Sequence, residues 1–168
     1  MKASILNRKL HRWGALLTAL PVIVVISTGI VLQLKKESDW VQPPTAAGGG
    51  TRPTISFEKV LEAARTASEA GIATWDDVER LDVRPNRGVI KVRAKSRWEV
   101  QVDAASGAVL QVAYRRSDLI ESIHDGSFFH DRVKLWVFLP AGVILFGLWI
   151  TGVYLWLLPH LARRRRKS

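Results

Sequence analysis

Two stretches of this 168-residue chain are apolar over a length that crosses a lipid bilayer, and they exclude a fold built on a single soluble core. The first runs from Trp13 to about Leu34, the second from about Val133 to Leu158. A transmembrane helix needs roughly 20 mostly apolar residues, and in hydrocarbon each backbone N–H and C=O must be bonded within its own segment. Both stretches therefore read as helices. The formal charge of +10 lies just outside them. Lys2, Arg8, Lys9 and Arg12 precede the first span with no acid among them, and Arg163, Arg164, Arg165, Arg166 and Lys167 follow the second. Between Lys35 and Lys134, 16 bases face 15 acids. Lys and Arg beside a span mark its cytoplasmic side, so both termini are expected inside and residues 35–132 outside. The same clustering at membrane edges argues against nucleic acid as a partner, which would need the bases on one folded face. The partner it implies is membrane lipid. The first span is too long for a signal-peptide h-region, and no small-x-small site closes it before Lys35-Lys36, so it reads as an uncleaved anchor.

The intervening residues divide by composition. Pro43-Pro44-Thr-Ala-Ala-Gly-Gly-Gly-Thr-Arg-Pro53 reads as a linker that lets the following module pivot. Phe57, Val60, Leu61, Ala64 and Ala67 recur at helical spacing, which predicts an amphipathic helix over 55–70 ended by Gly71. Leu81 and Val83, then Ile90, Val92 and Ala94, then Trp98, Val100 and Val102, then Leu110, Val112 and Tyr114 alternate with polar neighbours, the period of half-buried antiparallel strands. Asn86-Arg87-Gly88 and Asp103-Ala-Ala-Ser-Gly107 supply turns. No Gly-x-Gly-x-x-Gly, Walker loop or His-Glu-x-x-His occurs. The chain has no cysteine, so thiolate metal sites, disulfides and thiol catalysis are excluded. Asp76, Asp77 and the other acids read as solvated surface.

The histidines are the candidate site residues. His11 lies at the mouth of the first span, and His124 and His130 precede the second. Neutral imidazole is the commonest protein metal ligand, and ionisable groups at membrane depth are expensive to leave idle. Two membrane helices carrying such residues point to bound haem. The bland reading is a polar headgroup contact, and it holds best for His160, which follows Pro159 and precedes the Arg run. Arg8 and Arg12 lie near His11 on one helical face, where they either hold propionates bidentately or simply mark the inner side. Gly14, Ala15, Thr18, Ala19, Ser27, Thr28 and Gly29 in the first span and Ala141, Gly142, Gly147, Thr151 and Gly152 in the second allow close helix contact, or equally a haem lying flat. Pro21 and Pro140 are candidate kinks.

Trp98-Glu-Val-Gln-Val-Asp-Ala-Ala-Ser-Gly-Ala-Val-Leu resembles the core of the PepSY domain, a strand, an Asp-x-x-Ser/Thr-Gly turn and a second strand after a helix. The flanking elements Leu10-His-Arg-Trp13, Ile123-His-Asp-Gly126 and Thr151-Gly-Val-Tyr-Leu-Trp156 resemble the PepSY-associated transmembrane family. The resemblance implies an α+β membrane protein with two transmembrane helices flanking an extracytoplasmic αβββ PepSY-type domain, in the bacterial inner membrane with the domain periplasmic. The implied divisions are 1–40 for the inner segment and first span, 41–53 for the linker, 54–116 for the PepSY-like domain, 117–132 for a juxtamembrane segment, 133–158 for the second span and 159–168 for the basic tail.

Larger members look like reductases that release iron from siderophores, with b-type haem between membrane helices. The resemblance therefore implies haem b, with His11 and His124 as iron ligands, His130 as the alternative outer ligand, and Arg8 and Arg12 beside the inner site. It makes the chain a candidate ferric-reductase-type oxidoreductase or its electron-transfer subunit. This chain has one helix–PepSY–helix unit where those members have two. His11 opens the first helix inside and His124 precedes the second outside, with about 30 Å of membrane core between. One copy cannot clamp one haem between them. A twofold homodimer about the membrane normal would bring each histidine to its symmetry mate, giving one haem near each face; a place in a larger membrane complex would serve equally. The competing expectation is a haem-free accessory subunit whose PepSY module binds a partner protein outside the membrane.

Overall fold

The computed structural model describes residues 2–165, with side chains for residues 5–159. In chain order the elements are α1 (Lys2–Gln33), α2 (Phe57–Arg65), strands β1 (Val78–Arg84), β2 (Val89–Ala94), β3 (Trp98–Asp103) and β4 (Val109–Tyr114), then α3 (Arg116–Asp125), a single turn α4 (Asp131–Val133), a π-turn (Lys134–Phe138) and α5 (Leu139–Arg165). They form two compact units, one of Met1–Ile30 with Glu121–Ser168 and one of Val31–Ile120.

The first unit is helical. Ile5–Gln33 and Asp131–Pro159 are each long and apolar enough to cross a membrane, and only 6% of the most apolar window of either is buried by this chain. Their sides are therefore left to lipid or to further helices. α1 and α5 run antiparallel along a seam of small residues. Gly14 faces Leu148 and Ile144, and a Cβ at Gly14 would fall 3.1 Å from Leu148 Cδ2. Thr18, buried on the same seam, donates its hydroxyl to Gly14 O at 2.9 Å. At Pro140 the ring cannot donate an N–H and crowds the carbonyl four residues back. The chain meets this with the widened π-turn just before it, where Leu139 N–H donates to Lys134 O.

The second unit packs α2 on an antiparallel sheet of order β1-β2-β3-β4. The αβββ expectation is corrected here: among the described residues there are four strands, because Val78–Arg84 pairs with β2, with a bulge between Val78 and Arg80. Leu81, Val92, Val100 and Val112 lie across from one another in register and join a core with Val60, Leu61, Ala63 and Ala64 of α2. Each fully buried valine is worth about 1.5–3 kcal/mol over exposure. Ser56 caps α2, accepting from Lys59 N–H. The helix is shorter than the spacing predicts. It ends at Arg65 because Ala67 leaves the helical region (ψ 88°), and Ser68–Ala70 is a separate 3₁₀ turn closed by Gly71 at φ 66°.

The 41–53 segment is not a free tether. Ser117 N–H donates to Val41 O (2.7 Å), Gln101 bonds Pro44 O and Ala46 N–H (both 2.8 Å), Gly48 N–H donates to Arg87 O (2.8 Å) and Gly49 N–H to Asp103 Oδ2 (2.6 Å). A glycine run without side chains can lie this close to another backbone. A Cβ on Gly88 would collide with Gly50 O, and Gly88 has φ 63°. The segment is a strap across the sheet.

Candidate cofactor-binding site

The helical unit holds two imidazoles in the same way. His11 of α1 is half-buried and places Nδ1 3.1 Å from Thr151 Oγ1 of α5. His124, in the last turn of α3, places Nδ1 2.9 Å from Thr28 Oγ1 of α1. Both threonine hydroxyls also reach a carbonyl of their own helix: Thr28 donates to Val24 O at 2.6 Å and Thr151 to Leu148 O at 3.1 Å. Nε2 of neither imidazole has a hydrogen-bond partner among the described residues. The glycine after each threonine lies beside the ring, with a Cβ on Gly29 or Gly152 falling 3.5 Å from Cε1 of His124 or His11. His11 and Thr28 are 17 residues apart on α1, so at 1.5 Å per residue the two imidazoles are separated by roughly 25 Å along the axis.

His124 lines a cleft of about 330 Å³ walled by Val22 and Val25 of α1 and by Phe138, Leu139 and Gly142. Nothing would meet a Cβ on Gly142, so the cleft is open there. Gly126 ends α3 in the left-handed region (φ 82°) and lets the Phe138 ring approach. At the polar end, Lys134 Nζ donates to Asp125 Oδ2 at 2.6 Å. Partial burial pushes the Asp125 carboxyl upward, but the Lys134 ammonium and the Ser127 donors outweigh it and hold it at about 2.

The other sequence candidates are placed differently. His130 is exposed and caps α4, its Nδ1 accepting from Arg132 N–H at 3.0 Å. An imidazole that accepts at Nδ1 carries its proton on Nε2 when neutral, and His130 lines neither the cleft beside His124 nor the His11–Thr151 contact. Arg8 and Arg12 are exposed on the helix that carries His11. The side chains of His160 and of Arg163–Lys167 lie outside the described residues. What sequence reasoning missed is the contact of Thr28 and Thr151 with the imidazoles: in the sequence both read as small packing residues, and Thr151 also as the start of a family element. The available signal was the Thr-Gly pair in each span.

Among the described residues no three His, Cys, Asp or Glu side chains converge on a point that could hold a metal ion. A haem asks for less, since its ring supplies the equatorial nitrogens and the protein only axial ligands and a shaped, apolar surround. His11 and His124 each keep one imidazole nitrogen without a hydrogen-bond partner among the described residues, and the apolar cleft lies beside His124; these are the side chains that would hold such a group.

The sheet unit carries a second constellation, which the solvated-acid reading overlooked. Glu99 is buried and accepts from Lys91 Nζ (3.0 Å), Gln101 Nε2 (2.8 Å) and Arg115 Nη1 (2.7 Å), while Arg115 Nε bonds Asp118. Arg93 Nε lies 3.6 Å from Glu99 and makes no hydrogen bond. Burial pulls the Lys91 ammonium below its ordinary value against the pull of Glu99. A buried, paired network of this kind specifies structure more readily than chemistry.

The family model of the PepSY-associated TM region matches residues 8–168. No curated protein and no solved structure matches the chain.

Proposed function

This chain belongs to the PepSY-associated transmembrane family, and we propose that it is a b-type haem electron-transfer protein of the bacterial cytoplasmic membrane. The basic flanks face the cytoplasm and the sheet unit faces the periplasm, as the charge asymmetry of the two span edges supports. The observation that carries the reading is the pair of imidazoles, each anchored through Nδ1 to the neighbouring helix with Nε2 unengaged, roughly 25 Å apart along α1. A twofold homodimer completes the ligand sets, His11 meeting His11 near the inner face and His124 meeting His124 near the outer. Haem supplies one-electron redox chemistry when bound, and a site near each face makes a route across the bilayer toward ferric chelates outside. The chain's own part is to present Nε2 at both depths, to exclude water with Val22, Val25, Phe138 and Leu139, and to offer Arg8 and Arg12 to carboxylates at the inner site.

A second reading, a haem-free accessory subunit that binds a partner through its sheet unit, draws support from Phe57 and Trp75. They are 66% and 41% exposed and pack edge to face at 6.4 Å, leaving apolar surface open to a partner. Absorption spectra of the full chain, oxidised and dithionite-reduced, separate the two. Haem held by two imidazoles is expected to show a sharp reduced α-band. His11→Ala and His124→Ala should each remove about half of it, the double variant all of it, and His130→Ala none. Colourless protein from haem-replete cells would sink the haem reading and leave the accessory one.

A further inference from the structure

The two spans end in a common pattern, Thr28-Gly-Ile-Val-Leu-Gln-Leu34 and Thr151-Gly-Val-Tyr-Leu-Trp-Leu157, and the Thr-Gly of each receives the histidine of another helix. We infer that Thr28 and Thr151 are positioning residues that fix the neutral imidazoles of His124 and His11 as Nδ1–H tautomers, so that both ends of the helix pair present an Nε2 lone pair to the same class of acceptor, a planar tetrapyrrole iron.

A threonine hydroxyl has one hydrogen to donate. At Thr28 it is spent on Val24 O at 2.6 Å, with Val25 O also within 3.3 Å, and at Thr151 on Leu148 O at 3.1 Å. With that hydrogen on the carbonyl, each oxygen has only lone pairs left to offer, and the nitrogen facing it carries the hydrogen. Those nitrogens are His124 Nδ1 at 2.9 Å and His11 Nδ1 at 3.1 Å. With Nδ1 protonated, the neutral ring keeps its lone pair on Nε2, the nitrogen that metals take when the other is tied to an outer partner. His130 is the internal contrast. Its Nδ1 accepts from Arg132 N–H, which leaves the hydrogen on Nε2. Three of the four histidines thus divide into two presented as ligands and one engaged as a helix cap. A Cβ added at Gly29 or Gly152 would lie 3.5 Å from the ring, an ordinary contact, so each imidazole lies beside the helix that carries its threonine. The iron as acceptor rests on the haem reading above; the tautomers do not.

The test is ¹⁵N NMR of the full chain, with labelled histidine, in lipid nanodiscs at a pH where the rings are neutral, from cells starved of tetrapyrrole. His→Gln variants assign the signals. The pattern of Nδ1–H imidazoles is expected for His11 and His124 and that of Nε2–H for His130. Thr28→Val removes the acceptor at nearly constant shape and should shift His124 alone toward the Nε2–H form. Thr151→Val should do the same to His11 alone, and Thr28→Ser and Thr151→Ser should retain the wild-type pattern. Nε2–H signals for His11 and His124 in the wild type, or valine variants indistinguishable from it, overturn the inference. If the tautomers behave as stated and the chain still takes up no haem, the haem reading fails and the tautomer assignment stands.

Discussion

Phe138 approaches Gly126 so closely that a Cβ on Gly126 would fall 2.5 Å from its Cδ2. The contact ties the turn after His124 to the start of the second span, through the last residue of the π-turn. Gly126 serves two demands at once, a φ of 82° and the absence of a side chain.

Gly126→Ala should therefore displace His124 from Thr28. The left-handed backbone alone costs roughly 1–2 kcal/mol for a residue with a Cβ, and the Phe138 ring must move besides. The expected result is loss of the α-band fraction that His124→Ala removes, with the His11 fraction retained. Gly29→Ala is the control: its Cβ would meet His124 at 3.5 Å, ordinary contact, and the band should persist.

Glu99→Gln tests the buried network. The carboxylate is the common acceptor of Lys91, Gln101 and Arg115. Neutralising it leaves buried cations without their counter-charge, a loss of about 3–5 kcal/mol in such settings. Limited proteolysis of the full chain in mild detergent should show the sheet unit degraded far faster than in wild type. Unchanged protease resistance would mean that the network relaxes to solvent.

Much of this fold is legible because its signals are local. Span length and strand alternation are read directly from residues near one another, and the turn at Asp103–Gly107 announces itself by its residue types. The polar face of the sheet is different. Lys91, Glu99 and Gln101 alternate with valines just as solvated residues would, and only the strap and Arg115 turn that face into an interior. The strap looked like a linker because glycine and proline signal loops, and composition does not say whether a loop is bonded to something. The histidines were visible at the span edges, but their threonine partners lie 140 and 96 residues away, a pairing that no spacing rule encodes.

Asp103 makes the strap sensitive to acid. Backbone N–H groups of Ser106, Gly49 and Ala105 hold its carboxyl at about 2, below the ordinary 3.8. A folded-state value depressed below the unfolded one contributes stability that is complete above about pH 4 and lost as pH falls toward 2. The strap should thus be nicked by an acid-active protease increasingly below pH 4. Asp103→Asn loses the charge-assisted bond from Gly49 N–H of the strap, worth about 1.5–3 kcal/mol. It should accelerate cleavage within 47–50 already at neutral pH and flatten the acid dependence; a variant with the wild-type acid profile would show that Asp103 does not hold the strap.

The orientation across the membrane can be tested without background, because the chain contains no cysteine. Asp76 is exposed on the 3₁₀ turn before β1, so Asp76→Cys should leave the fold intact, while Ser168→Cys reports on the end of the basic tail. In sealed right-side-out vesicles a membrane-impermeant maleimide should label Asp76→Cys and spare Ser168→Cys until the vesicles are opened. Inverted vesicles should reverse the pattern. The expectation follows from where the bases lie, since Lys and Arg beside a span resist translocation and the central residues are nearly neutral. Labelling of Ser168→Cys in intact right-side-out vesicles would reverse the assignment of faces, putting His11 on the outer side and His124 on the inner. A route for electrons toward an external acceptor would then have to begin at the His124 cleft.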